Sequence, residues 1–516
     1  MASSMIAPAL PFLILAATPV IVMLLIAHRR DHRRTASVTA AGLVAALAAI
    51  LLARSAGTAT LTPLFLVDGY TLFFLFLILA STLAVLLLSY SYLERMHDGP
   101  YDEYYLLLLL TALGAAALLA SLHFAAFFLG LETLSLGLIG LIAYPRQRER
   151  ALEAGLKYLI LTGVSSAFLL FGMALIYLDY GTMSFPALGR LWNAAPTADI
   201  YAYAGFALLL TGIGFKLSLV PFHMWAPDIY EGAPAPVTSL VAVVSKIAIF
   251  ALLFRFFVLL DGYRSPSLLW VLSLVAILSM LAGNLLALLQ DNLKRIFAYA
   301  SISHVGYVLV ALLAGSATAF AAALTYLAAY AVTMTGVFGI ITLLSQPGSL
   351  HDADRLETYR GLMWERPWLA GAFTVMLLSL AGLPPTMGFI AEVYVIAAGV
   401  GAYLALPLAA LIIGSAIGLY YYLRIIVVML SPAAGRAALP ARARLGTATV
   451  AVLLVVLVWL GIYPAPMIAG IQQTVASLSF VPPPTRNASD IFAPQHAPPV
   501  KAIAASKMRD RNMFNF

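Results

Sequence analysis

The chain has 516 residues, of which 63% are hydrophobic and 10% are charged, and its formal net charge is +7. Charged residues make up roughly 25% of an ordinary soluble domain, so this composition excludes that class and indicates a protein embedded in a membrane. The sequence contains no cysteine, which excludes disulfides and a cysteine-ligated iron–sulfur cluster within the chain.

Apolar segments long enough to cross a membrane recur along the whole chain. Fourteen spans are predicted, beginning near residues 5, 35, 70, 103, 122, 152, 201, 236, 267, 294, 317, 367, 404 and 446. Each approaches the ~20 residues that a helix needs to cross the hydrocarbon layer. The first is interpreted as a span and not as a signal peptide, because its apolar run is long and no positive segment precedes it. The expected fold is an all-α polytopic membrane protein.

Basic residues are distributed unequally between the predicted loops. Counted from the first connection, the odd-numbered loops hold 16 Lys and Arg and the even-numbered loops hold three. The positive-inside rule therefore predicts that both termini lie on the periplasmic side of a bacterial inner membrane. Orientation in the membrane accounts for the positive charge, so nucleic acid is not an expected partner. The Pro-rich polar tail, residues 481–516, is expected to be extended or disordered unless a partner holds it.

Two predicted spans are interrupted by proline. The seventh contains "GFKLSLVPFHMW" (214–225) and the twelfth contains "LSLAGLPPTMGFIAEVY" (378–394). A proline in a helix removes a backbone hydrogen bond, and lipid cannot supply a replacement, so both breaks should be enclosed by protein or line a wet cavity. The breaks lie five spans apart, and the two halves therefore have opposite orientations, as an inverted repeat requires.

Cations within spans are candidates for function, because a cation in hydrocarbon costs at least ~2.5–3.5 kcal/mol. Lys216 and Lys246 lie too deep for their side chains to reach the interface easily. Arg255 and Arg424 lie near span ends, where snorkelling to the interface is the simpler interpretation. Lys157 lies at a shallower depth, and its position alone leaves both interpretations open.

Glu132 is the only carboxylate deep in the first half of the chain, and it is a natural partner for Lys216. Burial disfavours a charged lysine and a nearby carboxylate favours it, so movement of Glu132 could load and unload a proton on Lys216. His304, near the middle of its span, either relays protons or simply binds a neighbour. Glu392 follows the second break, towards the outer side. Together with Lys246, these residues predict a proton path across the membrane.

Several stretches also carry a family resemblance. They are "GFKLSLVPFHMWAPDIYEGAPAPVTSLVAVVSKIAIF" (214–250), "DNLKRIFAYASISHVGY" (291–307) and "GSAIGLYYYLR" (414–424). These stretches closely resemble the N-type antiporter-like membrane subunits of bacterial respiratory complex I, the proton-pumping NADH:quinone oxidoreductase. The resemblance covers residues 1 to about 475.

The resemblance implies 14 transmembrane helices, two inverted five-helix repeats and broken helices 7 and 12. It divides the chain into residues 1–102 (helices 1–3), 103–260 (first repeat, helices 4–8), 267–430 (second repeat, helices 9–13) and 446–475 (helix 14). It implies pairing of Glu132 with Lys216 and proton transfer by Glu132, Lys157, Lys216, Lys246, His304 and Glu392. Position 392 is usually lysine in N-type subunits, so a glutamate there changes the charge of the proton-loaded form.

The resemblance further implies a proton-translocating subunit without a redox cofactor, with FMN, iron–sulfur clusters and quinone bound by partner subunits. The expected partners are an M-type antiporter-like subunit, small K-, J- and A-type subunits, and membrane lipid. Two alternatives stay open. One is a subunit of a multi-protein sodium/proton antiporter or a membrane-bound hydrogenase, and the other is a structural membrane spacer whose charges are locked in salt bridges.

Overall fold

The computed structural model describes residues 2–96, 101–194, 200–346, 351–432 and 443–477, with residues 2–5 and 477 described by their backbone only. The predicted tail, residues 481–516, lies outside the described residues.

The described chain is almost entirely helical. Its helices are α1 (Ala2–His28), α2 (His32–Ala56), α3 (Gly69–Glu94), α4 (Asp102–Ala120), α5 (Phe124–Ile142), α6 (Glu149–Tyr180), α7 (Phe185–Ala194), α8 (Ile200–Lys216), α9 (Trp225–Gly232), α10 (Ala235–Ser239), α11 (Lys246–Leu259), α12 (Pro266–Leu288), α13 (Leu293–Ala314), α14 (Ala317–Leu344), α15 (Leu362–Glu365), α16 (Pro367–Leu380), α17 (Met387–Gly401), α18 (Ala405–Leu430), α19 (Arg444–Ile462) and α20 (Ala465–Ser477). A π-helical turn, Leu240–Ser245, joins α10 to α11, and 3₁₀ turns occupy Gly262–Arg264 and Leu356–Tyr359. Strands β1 (Ala59–Thr62) and β2 (Phe65–Val67) form a small antiparallel hairpin.

The predicted spans correspond closely to these helices. Within the described ranges, 12 helical segments are long and apolar enough to cross a membrane, with α10, the π-helical turn and α11 forming one of them. The two remaining spans each consist of two shorter helices, α8 with α9 and α16 with α17. The prediction of an all-α polytopic membrane protein is confirmed.

Three of the spans form the centre of the bundle. The continuous segment Ala235–Leu259, which contains α11, is buried along its whole apolar window, and so is α13. Helix α14 is buried along 94% of its window. Polar groups on these helices meet neither water nor lipid headgroups directly, so other protein groups must satisfy their hydrogen bonds.

The first half of the seventh span ends in a Schellman motif. Ser218 has a φ of 57°. Its backbone N–H donates to the carbonyl of Phe215 (2.9 Å), and the N–H of Leu219 donates to the carbonyl of Gly214 (2.8 Å). This pair of hydrogen bonds caps the carbonyl end of α8 just after Lys216.

The first half of the twelfth span ends in the same way. Gly382 has a φ of 65°. Its N–H donates to the carbonyl of Ser379 (3.2 Å), and the N–H of Leu383 donates to the carbonyl of Leu378 (2.9 Å). Helix α16 therefore stops at Leu380, in a motif that matches the end of α8 bond for bond.

Each helix stops several residues before its proline. Helix α8 ends five residues before Pro221, and α16 ends four residues before Pro384. The prolines in the sequence located both breaks correctly. The structure shows that a residue in the left-handed conformation ends each helix first, because its backbone turns the chain away from the helix axis.

The expected enclosure of both breaks is only partial, because Pro221, Pro384 and Pro385 are exposed, but side chains bond to backbone groups at each break. In the first, the carbonyl of Phe215 accepts a hydrogen bond from Nε1 of Trp225 (2.8 Å), and the N–H of Val220 donates to Oγ of Ser279 (3.0 Å). In the second, the N–H of Gly388 donates to Oγ of Ser379 (3.2 Å). These side chains supply partners for backbone groups that the interrupted helices leave open.

A buried carboxylate, Asp352, joins several segments at the end of the bundle where α13 begins. It accepts hydrogen bonds from Nζ of Lys294 (2.9 Å), Nη1 of Arg148 (3.0 Å) and the hydroxyl of Tyr92 (2.8 Å). The backbone N–H of Ala235 is a fourth donor (2.8 Å). Burial opposes a charge on Asp352, but Lys294 and Arg148 outweigh burial and lower the pKa of the carboxyl to about 2.

The prediction that Arg255 snorkels to the interface is wrong. Arg255 is buried, and its Nη2 donates to Oδ1 of Asp68 (2.8 Å) and to Oγ1 of Thr71 (2.9 Å). Asp68, which also caps the start of α3, supplies a counter-ion inside the protein. Arg424, in contrast, is partly exposed and pairs with Asp291 near the surface, in agreement with its predicted place at a span end.

Replacing Asp352 tests the role of this cluster. The change Asp352→Asn removes the buried carboxylate that pairs with Lys294, and we expect a loss of about 3–5 kcal/mol in stability. Thermal unfolding of the solubilised protein measures the loss. As a control, Asp261→Asn, which breaks an exposed pair with Arg264, should cost less than about 1 kcal/mol.

The same cluster predicts a pH dependence. The pKa of Asp352 in the folded protein lies below its ordinary value of 3.8, so its stabilisation is complete above about pH 4. It is lost as the pH falls towards 2. The Asp352→Asn variant should therefore lose less stability than the parent protein over this range, and parallel acid profiles would contradict this account.

Candidate functional site

Lys216 is the last residue of α8 and is buried. Its Nζ donates to Oγ of Ser135 on α5 (2.8 Å). One turn earlier on α5, Oε1 of Glu132 accepts a hydrogen bond from Oγ of Ser166 (2.5 Å). The expected pairing of Glu132 with Lys216 is therefore not a direct contact, because Ser135 accepts the hydrogen bond of the lysine.

Lys157 lies on the surface of the helix bundle, and its side chain is 44% exposed. Its Nζ contacts Oε1 of Glu153 (2.7 Å) and Oδ2 of Asp228 (3.0 Å). Asp228 also pairs with Nη1 of Arg295 (2.8 Å), so Lys157 belongs to a network that joins α6, α9 and α13. No hydrogen bond within the described ranges links this network directly to Lys216.

Lys246 is buried at the start of α11, directly after the π-helical turn. Its Nζ donates to Oγ of Ser301 on α13 (2.7 Å) and lies 5.8 Å from the centre of the Tyr230 ring. The Tyr230 hydroxyl is 3.2 Å from the same serine oxygen. Turns of the π type occur frequently at functional sites. The lysine is thus held at the centre of the bundle by a hydroxyl and an aromatic ring.

His304 lies one turn after Ser301 on α13 and is buried. Its Nδ1 is 2.5 Å from the hydroxyl of Tyr326 on α14, and its Nε2 is 3.1 Å from the hydroxyl of Tyr422 on α18. A neutral imidazole has one donor and one acceptor nitrogen, so one tyrosine donates to the ring and the other accepts from it. This arrangement connects three helices through one side chain.

Glu392 on α17 packs against the second break. A Cβ atom on Gly382 would overlap Oε2 of Glu392. The carboxylate can therefore lie against the break only because residue 382 has no side chain. Glu392 and His304 line the same small cavity, together with Tyr326 and Tyr330. Its volume of ≈ 10 Å³ is enough for roughly one water molecule. The structure therefore brings His304 and Glu392 to one polar site.

The predicted residues thus form three separate groups, one of which is Lys157 with its surface ion pairs. Lys216 lies beside the α5 residues in the second group. In the third, Lys246 contacts Ser301, one turn before His304 on α13, and His304 lines a cavity with Glu392. No hydrogen bond among the described side chains joins the groups directly. The buried hydroxyls of Ser218 and Ser239 have no hydrogen-bond partner in the described structure. Ser218 is two residues after Lys216, and Ser239 is seven residues before Lys246. Groups of this kind commonly bind internal water.

Sequence reasoning missed the hydroxyl groups that hold the predicted residues. They are Ser135, Ser166, Tyr230, Ser301, Tyr326 and Tyr422. One signal was available, because Ser135 and Ser301 lie one turn from Glu132 and His304 on their helices. Polar side chains at such spacing in an apolar span are candidates for the same site.

Comparison with known proteins gives consistent results. The model of a family described as NADH:quinone oxidoreductase/Mrp antiporter, TM, matches residues 121–418. The chain is 50% identical over 489 residues to NADH-quinone oxidoreductase subunit N of Nitrosospira multiformis, covering 91% of this chain and 96% of the relative. A chain of respiratory complex I from Thermus thermophilus is 33% identical, with a TM-score of 0.76, over 89% of this chain and 98% of that chain. A chain of the Mrp complex from Dietzia sp. is 23% identical, with a TM-score of 0.79, over 92% and 97%, a likeness that shows the fold alone.

The contact between Gly382 and Glu392 yields a test. The change Gly382→Ala introduces a left-handed strain of about 1–2 kcal/mol and displaces the carboxylate, so thermal stability should fall. Ser218→Gly, at the matching position of the first break, relieves such strain and should leave stability nearly unchanged. Equal melting temperatures for the Gly382→Ala variant and the parent protein would refute the proposed crowding.

Proposed function

Because the chain belongs to the NADH:quinone oxidoreductase/Mrp antiporter membrane family, we propose that it is the N-type proton-translocating membrane subunit of respiratory complex I. The 50% identity to a subunit N and the 33% identity to a chain of complex I support this assignment. The alternatives, a sodium/proton antiporter or hydrogenase subunit, are not favoured, because the Mrp chain is only 23% identical.

One observation carries the proposed mechanism. Lys216 and Lys246 are both buried, each donates to a serine hydroxyl, and neither has a carboxylate within ion-pair distance in the described part of the chain. Lys294 is also buried, but it contacts Asp352 directly. Desolvation of a buried cation is offset by a close counter-ion and much less by a hydroxyl. The charge on Lys216 and Lys246 is therefore sensitive to nearby changes, whereas Lys294 is held charged.

This contrast argues against a purely structural spacer. In a structural spacer, every buried cation is expected to form a direct ion pair, as Lys294 does with Asp352 and Arg255 does with Asp68. The two proposed proton carriers, Lys216 and Lys246, form no such ion pair in the described part of the chain. Each serine hydroxyl donates its own hydrogen to a backbone carbonyl, that of Leu131 or Ala298, and accepts from the lysine. An ammonium group and a neutral amine can both donate to such an oxygen, so this contact is compatible with both forms of the lysine.

We assign the proton path in the order Lys216, Lys246, His304, Glu392. Internal water carries the proton between the two lysines, where the unpartnered hydroxyl of Ser218 offers a binding position. Ser301 lies between Lys246 and His304 on α13, and the small polar cavity connects His304 with Glu392. Moving one proton against the membrane potential costs about 2.3 kcal/mol per 100 mV, which electron transfer in partner subunits supplies.

Glu132 and Lys157 lie beside this path and influence it through their charges. Movement of Glu132 towards Ser135 places a negative charge closer to Lys216 and favours its loaded form. Lys157 shares Asp228 with Arg295, so a change in its charge alters the network that joins α6, α9 and α13. We assign both residues to proton transfer as modulators of the group that contains Lys216.

The remaining features of the assignment are proposals of the same kind. Iron–sulfur clusters would be bound by partner subunits, which the absence of cysteine from this sequence supports, and FMN and quinone are proposed to bind there as well. The neighbours would be M-type and small K-, J- and A-type subunits in a bacterial inner membrane, with both termini on the periplasmic side. The matching Schellman motifs support inverted repeats over residues 103–260 and 267–430.

Two substitutions at Lys216 separate the proposed carrier from a structural cation. Lys216→Ala should lower NADH-driven proton uptake by inverted membrane vesicles roughly tenfold or more. Lys216→Arg retains the positive charge, but arginine cannot release its proton, so it should fail as well. NADH oxidation with an artificial electron acceptor controls for assembly. Normal pumping by the Lys216→Arg variant would rule out proton release at this position.

A second pair of variants compares two buried lysines. Lys246→Ala should lower the ratio of protons pumped to electrons transferred while the complex still assembles. The matched change Lys294→Ala should lower thermal stability and leave that ratio unchanged in the complexes that assemble. A structural spacer predicts the same result for both variants, namely reduced stability with an unchanged ratio.

A further inference from the structure

A groove of ≈ 600 Å³ lies where α16 and α19 begin. Its lining includes two arginines, Arg366 and Arg444, together with Trp368 and the apolar residues Leu369, Ala448 and Ala451. We propose that this groove binds an anionic phospholipid, with the headgroup phosphate at the two arginines and an acyl chain along α19.

The mouth of the groove is complementary to a negative charge. Arg366 is the cap residue of α16, and Arg444 is the first residue of α19. Two guanidinium groups therefore lie beside two helix N-termini, and both kinds of group attract phosphate oxygens. The described residues that line the groove include no carboxylate to oppose such a ligand.

The position of the groove fits the boundary between headgroups and acyl chains. Trp364 and Trp368 are both exposed, and Trp364 donates from Nε1 to the carbonyl of Leu430 (3.0 Å) at the end of α18. Exposed tryptophans mark the interface of a membrane protein. The arginines thus lie at headgroup level, where a phosphate is available in every leaflet.

The interior of the groove suits an acyl chain and not a free phosphate ion. From Arg444 the wall continues along α19 to Ala448 and Ala451, into the apolar span. The small alanine side chains leave room beside α16, and the volume lies within the ~300–1,000 Å³ range of small-molecule sites. A soluble anion would gain nothing from this apolar wall.

The predicted position of the groove, on the cytoplasmic side of the membrane, indicates that its lipid is anionic. The groove opens at the bundle end that carries the basic odd-numbered loops, which the positive-inside rule places at the cytoplasm. Anionic lipids give the cytoplasmic leaflet its negative surface potential, and basic pockets between helices on this side bind their headgroups. A zwitterionic lipid would add a cationic group next to two arginines.

Photolabelling of the assembled complex tests the proposal. The probes are phosphatidylglycerol and phosphatidylcholine analogues that carry a diazirine in one acyl chain, supplied in reconstituted vesicles. After irradiation, mass spectrometry measures the label on residues 444–451. We expect roughly tenfold more label from the phosphatidylglycerol probe. Equal labelling by both probes would overturn the proposed selectivity, and crosslinks to a neighbouring subunit without lipid label would show a protein interface instead.

Charge variants identify the residues responsible. The double variant Arg366→Gln with Arg444→Gln should lose the preference for phosphatidylglycerol, whereas the double lysine variant should retain it. Arg190→Gln removes an exposed arginine of α7, which does not line the groove; it is the matched control and should have no effect. An unchanged preference in the glutamine variant would overturn the assignment. The labelling of the unmodified complex needs no substitution and does not depend on proton pumping.

Discussion

The fold depends on the complete enclosure of its central spans. Helices α11, α13 and α14 have almost no surface towards lipid, so their long polar side chains depend on partners inside the protein. This requirement explains why Lys246 contacts a serine of α13 and why His304 contacts tyrosines of α14 and α18. These contacts place Nζ of Lys246 and the ring of His304 one turn apart along α13, on the proposed proton path.

Buried cations occur in two kinds of environment, and the difference separates structure from function. Arg255 and Lys294 each contact a buried carboxylate, which keeps them charged and fixes neighbouring segments in place. Lys216 and Lys246 contact hydroxyl groups, which hold the side chain without fixing its charge. In the proposed mechanism the first kind holds the helices in place, while the second kind changes its charge as protons pass.

The spans and breaks could be predicted from the sequence because they are local properties. An apolar run of about 20 residues indicates a span wherever it occurs, and a proline marks an interruption. The contacts between spans could not be predicted in this way. Asp68 is 187 residues from Arg255, and Tyr422 is 118 residues from His304, so neither partner is visible before the helices are packed. The prediction for Arg255 is wrong for this reason, because its counter-ion lies on a distant helix.

The two breaks have the same backbone geometry, but the titratable side chains beside them differ in the charge of their protonated form. Lys216 precedes the left-handed residue of the first break, and a proton makes it a cation. Glu392 packs on the left-handed Gly382 of the second break, and a proton makes it neutral. On the proposed path, an unloaded Glu392 would attract a proton held at Lys246 or His304 and so favour its movement towards the second break. Glycine at position 382 is what allows the carboxylate to lie close enough to the cavity beside His304 for this attraction to act.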